Sequence, residues 1–165
     1  MPYDVTTTRL DTQALFDLKG PAASLRHWKG PDLPAFPDQP NTRVDEGGLS
    51  LMWIGPNHWL LRAPLPEEAA LEARLRPAEA PADISIVRVS DTLAFFRLTG
   101  PEVGEIMAIA CPLDLHPARF GAQAACFTEA FGLKALVTRC ADGFDLAVEQ
   151  SYGALCADYL AQAIA

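Results

Sequence analysis

Apolar residues along the chain fall into short runs, each stopped by glycine or proline. Ala14 to Leu18 reads as a strand closed by Gly20-Pro21. Proline pre-sets φ for a first helical turn, where its missing N–H is not needed, so a short helix is expected from Pro21 to about Trp28, ended by Gly30-Pro31. Pro31, Pro34, Pro37 and Pro40 break any regular pattern, which predicts a loop over 31–48 that acts as a covering arm, suited to lying on a partner. Leu49 to Ile54 and Trp59 to Arg62 then flank Gly55-Pro56-Asn57-His58, the pattern of two strands joined by a tight turn. Pro66, Glu67 and Glu68 open a helix at its negative-favouring end, and Leu71 and Leu75 continue it at i, i+4 spacing until Pro77.

The same order then recurs. Ile84 to Val89 and Leu93 to Leu98 are strand-like, and Gly100-Pro101 launches a helix with Val103, Ile106, Met107 and Ala110 on one face, stopped by Pro112. Lys134 to Cys140 and Phe144 to Glu149 form a hairpin across Ala141-Asp142-Gly143, where Asp-Gly is expected to supply a positive φ. Ser151 is expected to cap a last helix carrying Leu155, Tyr159 and Leu160 inward. Leu-X-Gly-Pro, at Leu18 to Pro21 and again at Leu98 to Pro101, marks the first strand-to-helix turn of each copy, with Trp59 to Leu61 corresponding to Phe144 to Leu146. The pattern predicts an α+β fold: a duplicated strand-helix-hairpin-helix unit, pseudo-repeats about 14–76 and 84–163, the copies sharing one antiparallel sheet with packed helices in a single domain over 1–165.

The 165 residues suffice to bury roughly two-thirds of the unfolded surface. A formal charge of −8, with scattered basic residues, repels phosphate backbones, so nucleic acid is not expected as a partner. Half the residues are hydrophobic and mean hydropathy is +0.09, which suits a buried interface or simply an alanine-rich chain. Thr6, Thr7 and Thr8 stand where a secretory signal needs an apolar core, and no later run is long enough to span a bilayer. Cys111, Cys126, Cys140 and Cys156 form no CxxC pair and read as reduced thiols of a cytoplasmic protein.

Candidate chemistry is sparse. His27, His58 and His116 stand alone, so no metal site is expected. The serines lack a GxSxG setting, and the glycines match neither GxGxxG nor a phosphate loop. Cys111 and His116 are close in sequence, but a buried inert thiol is the simpler reading. Asp142 and Asp145 flank the second hairpin turn. Asp114, after the helix that ends at Pro112, reads first as a turn aspartate; a carboxylate holding an amine-bearing ligand is its functional alternative. Trp28, Trp53 and Trp59 read as core residues, with interface contact as the alternative. No catalytic residue is assigned.

Val89 to Leu115, with Gly100-Pro101 and Cys111-Pro112-Leu113-Asp114-Leu115-His116-Pro117, resembles the aminomethyltransferase superfamily and its folate-binding domain. It is more closely similar to the gamma-subunit family of heterotetrameric sarcosine oxidases, as are Phe144-Asp145-Leu146 and Trp53 to Leu61. The resemblance implies a non-catalytic subunit of an oxidase that demethylates sarcosine to glycine. It also implies alpha, beta and delta partner subunits holding FAD, FMN, NAD and tetrahydrofolate. A stand-alone tetrahydrofolate-binding or aminomethyltransferase-like protein is the alternative, for which Asp114 is the candidate cofactor-binding residue.

Overall fold

The computed structural model describes residues 2–31 and 33–165. The chain forms two compact units, one made of Thr12–Asp91 and the other of Met1–Asp11 with Thr92–Ala165.

The contiguous unit holds an antiparallel sheet in the order β3(Arg43–Glu46), β4(Leu49–Gly55), β5(His58–Pro64), β2(Gln13–Lys19), β6(Ser85–Arg88). Helices α1(Ala22–Lys29) and α2(Glu68–Leu75) cover one face. That face collects the alternate residues Ala14, Phe16 and Leu18 of β2 with Leu51, Trp59, Leu61, Leu25, Leu71 and Leu75, as two-residue strand periodicity requires. Gly20-Pro21 turns the chain from β2 into α1, and Pro64 to Glu67 turns it from β5 into α2 through a 3-10 turn.

The loop expected over 31–48 contains β3, a short polar edge strand paired with β4; Asp32 lies outside the described residues. Nor does the proline arm lie ready for a partner. Leu33 and Phe36 are 4% exposed, and Phe36 meets Trp59 edge-on with ring centroids 4.8 Å apart. Lys29 Nζ donates to the carbonyls of Gly30 and Leu33, which ties the arm to the end of α1. Prolines prevented regular structure but left apolar side chains at spacings that reach the core.

The discontinuous unit repeats the plan with an antiparallel sheet in the order β1(Thr6–Arg9), β7(Leu93–Thr99), β10(Gly143–Glu149), β9(Leu133–Cys140), β8(Ala125–Ala130). Helices α3(Val103–Ala110) and α4(Gly153–Ile164) pack Ile106, Met107, Cys156 and Leu160 against Phe96, Leu98, Phe144 and Leu146. Leu18 lies opposite Trp59 and Leu98 opposite Phe144, so the repeat equivalence expected from sequence holds in register.

The copies do not share one sheet. Each has its own, and each gives away its leading strand: β1 pairs with β7, while β6 pairs with β2. This exchange explains the doubled Gly-Pro turns. Gly20 has φ 131°, and a Cβ there would meet the Asp83 carbonyl oxygen at 2.6 Å, just before β6. Gly100 has φ 127°, and its Cβ would fall on the Asp4 carbonyl, just before β1. Both positions need glycine for the backbone angle and for the incoming strand.

Two turn assignments differ from the sequence expectation. Gly143 is not among the glycines of positive φ; its requirement is space, since a Cβ would overlap the Leu98 carbonyl of β7. Ser151 does not cap α4: its hydroxyl donates to Glu149, a 3-10 turn over Gln150–Tyr152 leads into the helix, and Leu155 points outward at 39% exposure.

Candidate functional site

Asp114 lies in the loop between α3 and β8. The chain leaves α3 at Cys111, whose N–H still donates to Met107, and Pro112 prevents another helical turn. Asp114 is exposed, and its Oδ1 accepts the His116 N–H at 3.1 Å, the contact that defines an aspartate-closed turn. His116 in turn accepts the Ala118 N–H on Nδ1 at 3.2 Å. Cys111 is buried in the core and His116 is exposed on the loop, so the structure does not assemble them into a thiol–imidazole pair. Folate needs an enclosing, largely apolar pocket, and an exposed turn carboxylate does not fit that requirement.

The loop is held by a residue that sequence reasoning did not single out. Arg139 of β9 donates from Nε to the Phe120 carbonyl at 2.9 Å and from Nη2 to the Leu115 carbonyl. Its guanidinium lies 4.3 Å from the Phe144 ring centroid, and burial lowers its pKa. The Cys111 to Phe120 segment is thus fastened from both ends, by α3 and by the sheet.

Charged groups instead converge on two related strand positions. In the discontinuous unit Arg97 of β7 meets Asp145 of β10 through Nε–Oδ1 at 2.8 Å and Nη2–Oδ2 at 2.9 Å, a two-pronged pair. Asp145 is 3% exposed, and its hydrogen bond raises the Arg97 pKa further above its already high value. In the contiguous unit the position equivalent to Arg97 is Asp17, which Lys19 Nζ approaches at 3.0 Å and His58 Nε2 contacts directly. Each cluster neutralises its own charge on a rigid strand, which suits pinning a sheet rather than moving protons. Asp142 remains in the β9–β10 turn, away from this pairing.

One tryptophan sits in the contiguous unit's core and the other two border it. Trp59 is 4% exposed, and Trp53 packs against the same cluster. Trp28 is half-buried, donates Nε1 to the Leu75 carbonyl at 2.6 Å and carries Arg76 over its ring. The core reading of these side chains accounts for their settings.

A family profile described as Sarcosine oxidase, gamma subunit family matches residues 21–165. The chain belongs to that family. Sarcosine oxidase subunit gamma of Corynebacterium sp. strain U-96 is 31% identical over 133 residues, covering 81% of this chain and 62% of that protein. The strain P-1 counterpart is 32% identical over 92 residues, 56% of this chain and 44% of that one. The chain therefore spans less than two-thirds of the length of these relatives.

In structure, this gamma-subunit-family chain is similar to a chain of heterotetrameric sarcosine oxidase from Corynebacterium sp. U-96, in complex with pyrrole 2-carboxylate, at TM-score 0.82 and 22% identity; the match covers 97% of this chain and 83% of that one. It is also similar to glycine cleavage system aminomethyltransferase T from Bartonella henselae, at TM-score 0.68 and 15% identity, covering 96% of this chain and 46% of that one. These likenesses bear out the expected α+β, aminomethyltransferase-like fold. The matched span 21–165 takes in every stretch on which the sequence resemblance rested, from Trp53 to Leu61 through Gly100-Pro101 and Cys111 to Pro117 to Phe144-Asp145-Leu146.

Proposed function

We propose that this chain is a structural subunit of a heterotetrameric sarcosine oxidase-type complex, contributing interface rather than chemistry to the oxidative demethylation of sarcosine. The family match over residues 21–165 carries the reading. Alpha, beta and delta subunits are the proposed partners, holding FAD, FMN, NAD and tetrahydrofolate, in the cytoplasm. The internal pairing of Arg97 with Asp145 and the turn role of Asp114 agree with a scaffold, because these carboxylates are committed to holding the fold.

Co-expression with oxidase subunits tests it: the chain is expected to co-purify with them in fixed stoichiometry, and its failure to join any flavin-bearing subunit would remove the proposal. The likeness to aminomethyltransferase T supports a second reading, a tetrahydrofolate binder. Calorimetry separates the two: the scaffold reading expects no saturable heat with tetrahydrofolate, and saturable heat lost in Asp114→Ala would favour the second.

A further inference from the structure

The repeat equivalence exposes one difference between the units. Arg88 of β6 lies opposite Phe16, and Arg9 of β1 lies opposite Phe96, so the two arginines occupy the same place on the two exchanged strands. Arg88 is held by α2: its Nη1 stands 2.9 Å from Glu72 and 3.5 Å from Glu68. Arg9 faces α4, the corresponding helix. Glu68 follows Trp59 at the same interval at which Gly153 follows Phe144, and the buried pair Leu71 and Leu75 becomes Cys156 and Leu160. The carboxylates opposite Arg88 are therefore replaced, opposite Arg9, by Gly153 and Ala157.

Arg9 thus keeps the position and loses the partners. Its guanidinium lies 5.8 Å from the Phe96 ring centroid, and among the described residues it has no carboxylate within ion-pair distance. A Cβ on Gly153 would stand 3.1 Å from Arg9 Nη2, so even the helix backbone leaves room for the charged head. Beside it runs a groove of about 520 Å³ between β1 and α4, with Phe96, Leu160 and Ile164 supplying apolar walls. Thr7 lines this groove where the other unit places buried Ile86.

Among the described residues, the groove borders an unpaired edge. β1 ends its sheet, and Leu10 N–H donates to the Phe95 carbonyl. Residues alternate in an antiparallel ladder, so Thr6 and Thr8 bond to β7 while the backbone groups of Thr7 and Arg9 face away from it. A free strand edge and an apolar groove beside it are the elements of recognition by strand addition, and the unneutralised cation adds a preference for negative charge.

We propose that this edge docks an extended, acidic segment of a partner polypeptide, which pairs with Thr7 and Arg9, sets an apolar side chain into the groove and places a carboxylate on Arg9. The commitment to an acidic segment follows from Arg88, which shows what the same arginine binds when the carboxylate is supplied internally. The proposal rests on the reading of the chain as a subunit of a larger assembly.

The test uses the full chain co-expressed with its oxidase subunits. Amide exchange at Thr7 and Arg9 is expected to slow at least about tenfold in the assembly relative to the isolated chain, a measurement that needs no variant. Ala157→Glu supplies the carboxylate from within, as Glu72 does, and is expected to weaken assembly about tenfold or more, as is Arg9→Glu. Ala154→Glu adds the same charge to α4 outside the groove and is expected to assemble normally. If the wild-type chain assembles while its β1 amides exchange at an unchanged rate and Ala157→Glu assembles normally, the docking site is overturned and the subunit reading stands. If the wild-type chain joins no oxidase subunit, both are overturned. Protection of the same amides in a self-associating isolated chain, seen by sedimentation, would overturn the partner in favour of a second copy.

Discussion

Cys156 on α4 is fully buried, and burial pushes its thiol up to about 11 from the ordinary 9.0. In the unfolded chain this thiol ionises near pH 9, whereas the fold keeps it neutral. The unfolded state therefore loses its proton first, and the stability gained is complete below pH 9 and drains away as pH rises through about 11. The loss across that range is roughly 3 kcal/mol. Urea unfolding from pH 8 to 11 is expected to show this decline, with Cys126, also raised by burial, adding to it. Cys156→Ala is expected to lower stability at pH 8 through the cavity it leaves but to flatten the alkaline slope. At Gly100, alanine combines a left-handed φ with overlap on the Asp4 carbonyl. Strain of that kind costs about 1–3 kcal/mol, so the Gly100→Ala urea midpoint at neutral pH should fall; an unchanged midpoint would show that the incoming strand relaxes freely.

Among the elements, the proline arm behaves as part of the core. Phe36→Ala is expected to destabilise the chain by about 3–5 kcal/mol, in the range for buried aromatic truncation, and to shift Trp59 emission because that indole loses its edge-on neighbour. Deleting residues 2–10 removes β1 and leaves Leu93–Thr99 as a new sheet edge. Hydrogen exchange should then accelerate along β7 while β2 to β5 remain protected, since the latter pair only within Thr12–Asp91. Elements with strong apolar patterning were legible in the sequence: β2, α1, the β4–β5 hairpin, α2, β7, α3 and the β9–β10 hairpin all form where expected. Three of the four edge strands were not, β6 within the expected Ile84 to Val89 being the exception. β1 reads Thr-Thr-Thr-Arg and β3 reads Arg-Val-Asp-Glu, sequences without the half-buried alternation that marks a strand, because an edge can face solvent. β8, Ala-Cys-Phe-Thr-Glu-Ala, is a third edge and equally quiet.

For the whole molecule, the duplication was legible and the strand exchange was not. Which sheet a strand joins is settled by partners far along the chain, and Leu-X-Gly-Pro records only that something approaches closely. The same distance hid Arg97–Asp145, whose members are 48 residues apart and look in sequence like a strand cation and a turn acid. The gamma-subunit resemblance was legible because each of its stretches, Trp53 to Leu61, Cys111 to Pro117 and Phe144 to Leu146, is contiguous in the chain. Arg9 carries no local signal at all; its meaning emerges only when Arg88 is set beside it.

The exchange of leading strands also imposes a timetable on synthesis. The contiguous unit can close its sheet once β6 has left the ribosome, with every partner behind it. β1 is made first and must wait, because Thr6 pairs with Thr99 and the remaining strands of its sheet come later still. During that interval it has no partner strand, and three consecutive threonines give it little to stick with. The polar composition that hides β1 from a sequence reader is the same property that keeps the nascent chain from pairing it too early.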